Sequence, residues 1–360
     1  ISPKLTFLAA LDVGIIAAFY DMPLWLWGMT TSAELSNLPR YPTLATVTVN
    51  SYAYGVAICA IMMQYKWKEM SLLYSRNGVE ERCSYLATDL ESAVNKFENK
   101  ISIVYRSEIN LHSKNLKSIM TQVKSRSRIV VVCLSSSEEK REFMLYASDY
   151  EMISDEFVYI MPEMDDTRTR EVTDMWKAND GRDAEAQRAF KTALLLDNEN
   201  EAKNKFMANF TEAIVEKMND WPLYCDDDCQ DNPLRQAGRY AGHLADSLYL
   251  YGLALNRTLS SSKDRQNATK SGSVLLSSAV GSFDGYSGHV IIGENGTRVP
   301  IFYVLGLNSS QLLQSFARIE MTESEFVSVR TVFSFMPNNL KHKTQNYGAL
   351  LVCYNGVYLV

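Results

Sequence analysis

The sequence lacks a glycine-rich phosphate loop and lacks any run of basic residues. Neither G-x-G-x-x-G nor G-x-x-x-x-G-K-[ST] follows a strand-like segment, and the turn after residues 69–74, SRNGVEER, has one glycine. This absence argues against an enzyme that uses a dinucleotide or a nucleoside triphosphate. The 36 basic and 42 acidic residues are interspersed, with a net charge of -6, so no nucleic-acid partner is expected.

Histidine is scarce, and its spacing excludes the common metal-binding motifs. The four histidines, His112, His243, His289 and His342, are far apart and none lies in H-E-x-x-H. The segment GYSGH places Ser287 near His289, but it is not G-x-S-x-G and lies between strand-like segments, which favours a glycine-bracketed turn. We therefore expect no catalytic residue, no metal and no cofactor.

The chain also lacks an uninterrupted hydrophobic run of membrane-spanning length. The longest apolar stretch, residues 5–27, is broken by Asp12, Asp21 and Pro23, which disfavours a transmembrane helix. The stretch has no starting methionine and no basic flank, so it does not resemble a signal peptide. We expect the chain to begin inside a domain.

Helical and strand-like segments alternate along the first half of the chain, which predicts a parallel sheet with helices on both faces. RIVVVCL is apolar without alternation, as expected of a strand buried on both faces. Leu86, Leu90, Val94 and Phe97 recur at helical spacing and are predicted core residues. The predicted helices and strands, in order, are helix 11–20, strand 22–27, helix 53–65, strand 69–74, helix 84–98, strand 101–105, helix 114–124, strand 129–134, helix 137–149 and strand 157–161.

Later segments are predicted to return to the same kind of fold. A strand is expected at 192–196, a helix at 203–217 and a long apolar helix at 240–259. The segment GSFDGYSGHVIIGENGTRVPIFYVLGLN, with its glycine and aspartate turns, predicts an antiparallel hairpin. Residues 331–360 continue no recognisable pattern.

Two cysteines are expected at the same edge of the predicted sheet. Cys83 begins the helix after strand 69–74, and Cys133 ends strand 129–134. In the strand order 2-1-3 those strands are neighbours, so a disulfide is geometrically natural, with two independent buried thiols as the alternative. Cys59, in AICAIMM, is expected in the core.

The segment CDDDCQD, residues 225–231, concentrates carboxylates beside two cysteines. Its spacing does not match an EF-hand loop, and zinc would need further ligands. We favour a small loop closed by a disulfide between Cys225 and Cys229 over a metal site. Together, the cysteines and the glycosylation sequons indicate an extracellular location. The five sequons begin at Asn209, Asn256, Asn267, Asn295 and Asn308.

A series of segments runs in order along roughly residues 8–320. It begins with LDVGIIAAFYDMPLWLWGMTTSAELSNLPRYPTLATV, YKWKEMSLLYS, RCSYLATDL and SRIVVVCLSSSEEKREFMLYA, and continues with DAEAQRAFKTALLL, YAGHLADSLYLYGLALNRTL and GSFDGYSGHVIIGENGTR. Together, these segments resemble the extracellular ligand-binding region of receptor-type guanylate cyclases and natriuretic-peptide receptors. The resemblance implies an α/β fold of the type I periplasmic-binding-protein class, a bilobed clamshell of two doubly wound parallel sheets joined by hinge crossings.

The resemblance also implies a division of the chain into lobes. Lobe one is expected at 1–45 and again at 193–280, lobe two at 46–192 and, as a C-terminal hairpin, at 281–330, with an off-pattern tail at 331–360. The family pairs cysteines at the positions of Cys83 and Cys133. The N-terminal part of lobe one, the transmembrane helix and the cyclase domain of that family are not matched, so we expect this chain to be a non-catalytic fragment of a membrane receptor.

The implied function is binding of a peptide or small-molecule ligand at the extracellular face of the plasma membrane. Binding to an expected homodimer would control cyclic GMP synthesis in the cytoplasm. Alternatives are a glutamate-type receptor domain or soluble binding protein, and, from another class, a soluble metal-dependent enzyme using CDDDCQD. For a ligand in the interlobe cleft, turns at the strand ends supply the candidates, with solvated turns and helix caps as the alternative. These candidates are Ser75, Arg76, Asn77, Ser135, Ser136 and Glu163.

Overall fold

The chain forms two compact units in the computed structural model. Unit 1 comprises Ile1–Val49 and Glu199–Val299, and unit 2 comprises Asn50–Asn198 and Pro300–Val360. The chain therefore passes from one unit to the other at 49/50, 198/199 and 299/300. The structure describes residues 3–28, 32–77, 82–97, 100–164, 174–198, 205–221, 224–225, 240–308, 310–321, 327–331, 350–353 and 356–357.

Helices and strands alternate from residue 44 through residue 197, as the sequence pattern predicts. The helices are α1 (Pro3–Phe19), α2 (Ser51–Gln64), α3 (Arg82–Lys96), α4 (Leu116–Arg126), α5 (Ser137–Asp149), α6 (Asp183–Phe190), α7 (Lys205–Lys217), α8 (Ala241–Ser261), α9 (Arg265–Ala268) and α10 (Gly272–Ala279). The strands are β1 (Leu24–Leu26), β2 (Leu44–Thr46), β3 (Glu69–Tyr74), β4 (Ser102–Glu108), β5 (Ile129–Cys133), β6 (Val158–Pro162), β7 (Ala193–Asp197), β8 (Gly281–Gly285), β9 (Gly288–Ile292), β10 (Ile301–Leu307), β11 (Leu313–Met321), β12 (Val327–Thr331), β13 (Leu350–Cys353) and β14 (Gly356–Val357).

Unit 2 is built on one mixed sheet in the order β14-β13-β12-β11-β10-β7-β6-β5-β3-β4. The pairs from β4 to β7 are parallel, and those from β7 through β10 to β14 are antiparallel. The strand order β4-β3-β5 confirms the predicted 2-1-3 arrangement. Every residue of β5, β6 and β7 is buried, because helices cover both faces of such a sheet.

The helices of unit 2 pack through the apolar stripes that their sequences predict. On α3, Leu86, Leu90 and Val94 are buried, and Phe97, just beyond its end, is half-buried. On α2, Gly55 lets the backbone of α3 approach so closely that an added Cβ would lie 3.1 Å from the Leu90 Cα. The core continues beneath α4, α5 and α6.

The described part of unit 1 contains two small sheets covered by helices. The β1–β2 pair is parallel, and β8–β9 is an antiparallel hairpin, as predicted. The hydrophobic core of unit 1 lies between the β2 region, α8, α10 and β9, and it includes Val47, Leu250, Leu276 and Ile292. The helix α10 begins where the Asp21 carboxylate accepts hydrogen bonds from Ser271 Oγ at 2.6 Å and Ser273 N at 2.9 Å.

The boundaries of the two units differ from the expected lobe boundaries in two segments. The strand β7, expected from the family resemblance in the 193–280 segment of lobe one, belongs to unit 2, where it pairs in parallel with β6. The hairpin β8–β9, expected within the 281–330 part of lobe two, belongs to unit 1 because Asp246 of α8 holds its turn. Within the tail expected to be off-pattern, β13 and β14 extend the large sheet.

Candidate functional site

The carboxyl ends of β3, β5 and β6 bring three polar segments to one edge of the unit 2 sheet. The strands β3 and β5 are in parallel register, with Tyr74 opposite Cys133. Immediately after them, Ser75 N donates a 3.0 Å hydrogen bond to Cys133 O. In open α/β sheets, ligands bind outside the carboxyl ends of the strands, so this edge is where a ligand site is expected.

Glu139, in the first turn of α5, accepts hydrogen bonds from two residues at this edge. Its Oε1 accepts a 2.7 Å hydrogen bond from Asn77 Nδ2, and its Oε2 accepts a 2.9 Å bond from Ser135 N. Ser135 Oγ also donates to the Asn77 carbonyl, and Ser75 Oγ accepts from Asn77 N at 3.0 Å. We call these four residues, with Ser136, the sheet-edge cluster.

Ser136 has the role of a helix cap. Its Oγ accepts a 3.2 Å hydrogen bond from Glu139 N at the start of α5. Ser136 and Glu139 have the spacing of a capping box, of which only half is present, because the Glu139 carboxylate accepts a hydrogen bond from Ser135 N rather than from the backbone N–H of Ser136. Carboxylates in the first turn also complement the positive end of the helix dipole.

The two remaining candidates lie apart from the cluster. Arg76 pairs with Glu108 at 3.1 Å, and about half of each side chain is exposed. Glu163 is buried at the end of β6, where its Oε1 lies 2.6 Å from Lys140 Nζ and its carbonyl accepts a 3.1 Å bond from the Tyr54 hydroxyl. A ligand can reach Arg76 from solvent, whereas the carboxylate of Glu163 is held inside unit 2.

Lys140 and Tyr54 were not identified from the sequence. Lys140 lies three and four residues before Phe143 and Met144, on the buried side of α5, and is itself fully buried. A lysine on an apolar helical stripe is a signal for a buried anionic partner, because an unpaired buried charge is strongly unfavourable. Nothing in the spacing identified that partner as Glu163, 23 residues away.

The predicted disulfide between Cys83 and Cys133 is present, with Cα atoms 5.3 Å apart. It ties the start of α3 to the end of β5, next to the sheet-edge cluster. Cys59 is a free, buried thiol on α2. Burial raises the pKa of this thiol, so the reactive thiolate form is disfavoured. Cys225 is disulfide-bonded, while its expected partner Cys229 and residues 226–231 lie outside the described residues.

The GYSGH turn is a structural junction in unit 1. Asp246 accepts hydrogen bonds from Tyr286 N at 2.7 Å, Ser287 N at 2.8 Å and Ser287 Oγ at 2.6 Å. Arg298 donates to Ser287 Oγ at 2.8 Å. His289 pairs with the exposed Asp284 at 2.6 Å, whereas Ser287 joins Asp246 and Arg298 and so holds the hairpin.

The five sequon asparagines have different surroundings. Asn209, Asn256, Asn267 and Asn295 are exposed, and Asn308 is half-buried with its Nδ2 donating to Gln314 at 3.2 Å. Asn295 Oδ1 accepts from the amide and hydroxyl of Thr297.

Within the described ranges, no group of three or more His, Cys, Asp or Glu residues is arranged to hold a metal ion. Among the described helices, none is both long and apolar enough to cross a membrane.

The mixed α/β fold, with a large sheet in unit 2 that is parallel from β4 to β7, is consistent with the periplasmic-binding-protein class. The model of one family, described as "Receptor family ligand binding region", matches residues 10–310. The chain belongs to this family, which confirms the resemblance seen in the sequence.

Relatives of the chain include proteins of Caenorhabditis elegans. The chain is 31% identical over 344 residues to receptor-type guanylate cyclase gcy-1, with 90% of this chain and 30% of that protein covered. It is 30% identical over 338 residues to receptor-type guanylate cyclase gcy-20, covering 89% of this chain and 30% of that protein. The chain thus spans about a third of the length of these relatives.

Proposed function

We propose that the chain is the extracellular ligand-binding region of a receptor guanylate cyclase. The observation that carries this proposal is the family match over residues 10–310, within a chain similar to receptor-type guanylate cyclases. The buried disulfide and the exposed sequons support an oxidising, extracellular environment. In this proposal the cyclase activity resides in a part of the gene product outside this chain.

The ligand is a peptide or small molecule, and the sheet-edge cluster of unit 2 contributes to its site. Within the cluster, Asn77 is exposed, and Glu139 and Ser135 are partly exposed, so their polar groups are within reach of a ligand. The hydrogen bonds through Glu139 hold the turns after β3 and β5 in one arrangement, which preorganises the site. Binding to a homodimer then alters cyclic GMP synthesis on the other side of the membrane.

Substitutions in the cluster test the ligand site. In cells that express the complete gene product, cyclic GMP is measured against a panel of peptides and small molecules, and any active compound is titrated. We expect Asn77→Ala and Glu139→Ala to raise its half-maximal concentration about tenfold or more, because a hydrogen bond to a charged group contributes about 1.5–3 kcal/mol. Glu139→Gln, which keeps one acceptor oxygen, is expected to have a smaller effect.

Glu156→Ala is the matched control, because Glu156 is an exposed carboxylate before β6, at the opposite edge of the same strands. It should leave the titration unchanged. Equal responses for the wild type and all cluster variants would place the ligand elsewhere, for instance between protomers, and would remove the cluster from the proposal.

A further inference from the structure

The solvent-facing side of α8 is unusually apolar. Leu248 and Tyr249 are 66% and 55% exposed, and Leu244 and Leu259 are 37% and 38% exposed. The opposite side of the helix, with Leu250 and Ala254, is buried in the core of unit 1. We call Leu244, Leu248, Tyr249 and Leu259 the α8 outer face. Contiguous exposed apolar residues of this kind usually mark a surface that something covers.

A glycosylation sequon lies in the middle of the same face. Asn256 is exposed, and it follows Tyr249 by seven residues and precedes Leu259 by three. Residues three, four and seven apart lie on one side of an α-helix. A group attached to Asn256 therefore emerges among the exposed apolar side chains.

The helix leaves space for a bulky group at this point. Helical side chains lean toward the N-terminus, so the Asn256 side chain leans over Gly252, one turn earlier. A Cβ added to Gly252 would meet nothing within 4 Å. Beyond Gly252 in the same direction come Tyr249 and Leu248, the former about 10 Å from Asn256 along the helix axis at 1.5 Å per residue.

We propose that Asn256 carries an N-linked glycan whose core lies along α8, over Gly252 and onto Leu248 and Tyr249. This inference rests on the proposed extracellular location. The C–H faces of sugar rings pack against apolar side chains while their hydroxyl groups remain hydrated, so the glycan removes apolar surface from water. Its bulk also prevents a folded protein partner from docking on the α8 outer face.

The modification joins an oligosaccharide to Asn256 Nδ2 while the chain is still unfolded. The new bond joins the amide nitrogen to the anomeric carbon of a lipid-diphosphate-linked oligosaccharide. The bond from that carbon to the diphosphate oxygen breaks, the lipid diphosphate leaves, and the amide proton passes to a base of the transferase. In the folded chain, Thr258 of the sequon is 1% exposed and its hydroxyl donates to Ser278 Oγ at 2.8 Å, so the transfer precedes packing of α8 on α10.

Site mapping is the first test. The complete gene product is expressed in cultured animal cells, and occupied asparagines are identified by mass spectrometry after enzymatic deglycosylation in heavy-oxygen water. Occupancy at Asn256 is the expected result. Occupancy at Asn209 with Asn256 empty would overturn this inference and leave the extracellular location standing. No occupancy at any of the five sequons would overturn both.

Hydroxyl-radical footprinting tests where the glycan lies. We expect the oxidation rate of Tyr249 to increase several-fold in Asn256→Gln and upon deglycosylation of the wild type. Asn209→Gln is the matched control, because it removes an exposed helical sequon from α7, and Tyr286, 40% exposed on the hairpin turn, is the internal reference. Equal oxidation of Tyr249 in the wild type and Asn256→Gln would show that the glycan does not cover the α8 outer face.

Discussion

Single residues near the proposed site show where sequence patterns are informative. The Ser136–Glu139 spacing predicts a helix start, and the structure has a helix start there. The same spacing does not reveal that Glu139 also accepts a hydrogen bond from Asn77, which lies in a turn 62 residues away in sequence. Contacts of that kind depend on strand order, so the residue pattern identified the edge but not the residue that organises it.

The buried pair of Lys140 and Glu163 gives a direct prediction. Their side chains are 0% and 3% exposed and their charged atoms are 2.6 Å apart. Lys140→Met removes the cation that lies 2.6 Å from the buried Glu163 carboxylate, and we expect a loss of about 3–5 kcal/mol in the free energy of unfolding. The double variant Lys140→Met/Glu163→Gln should recover much of that loss in denaturant titrations. A double variant as unstable as the single one would contradict the proposed cause.

Asp180 predicts a dependence of stability on pH. Arg141 donates to both carboxylate oxygens at 2.6 and 2.7 Å and lowers the pKa of Asp180 to about 2, whereas an unfolded aspartate titrates near 3.9. Because the folded pKa is the lower one, this stabilisation is present above about pH 4 and is lost as the pH falls from 4 to 2.

We therefore expect Asp180→Asn to lose less stability than the wild type when denaturant midpoints at pH 5 and pH 3 are compared. Asp155→Asn, another exposed carboxylate of unit 2, serves as the control. If wild type and Asp180→Asn lose the same stability over that interval, the Arg141 pair does not contribute.

Gly55 and Gly252 both lie in helices, and alanine substitution is expected to change the stability in opposite directions at the two positions. An added Cβ at Gly55 would lie 3.1 Å from the Leu90 Cα and 3.3 Å from the Asp89 carbonyl oxygen, both backbone atoms of α3. Gly55→Ala should therefore destabilise the chain by about 1–3 kcal/mol through overpacking. Gly252→Ala, in open space on α8, should stabilise it by about 0.5–1 kcal/mol through helix propensity.

Both glycine variants can be measured in one series of thermal and denaturant unfolding curves. Stabilisation by both substitutions would mean that helix propensity, not the approach of α2 to α3, decides the outcome, and destabilisation by both would contradict the open space at Gly252. Loss of binding in Gly252→Ala is not expected, because that glycine belongs to unit 1, whereas the sheet-edge cluster belongs to unit 2.

The disulfide joins two elements next to the candidate site. Cys83 and Cys133 close a loop with a sequence separation of 50, and cross-links of that size stabilise proteins by about 2–4 kcal/mol. We expect Cys83→Ala/Cys133→Ala to lower the denaturant midpoint accordingly and to weaken ligand responses that depend on the turn after β3. An unchanged midpoint would mean that the packing of α3 on β3 suffices without the bond.

At the scale of the whole molecule, the alternation of helices and strands was predictable and the grouping of segments was only partly so. Buried strands such as β5 are continuous apolar runs, and their neighbours follow from the parallel order. The unit to which β7 and the hairpin β8–β9 belong depends on hydrogen bonds to β6 and to Asp246. Those partners are distant in sequence, and local patterns carry no information about them.

The most direct test of the proposed function is guanylate cyclase activity. Membranes from cells that express the complete gene product are supplied with magnesium and GTP, and cyclic GMP is measured against membranes from untransfected cells. The account predicts cyclic GMP formation well above that background in the membrane fraction. Membranes that contain the protein and form no cyclic GMP above background would contradict the assignment to a receptor guanylate cyclase.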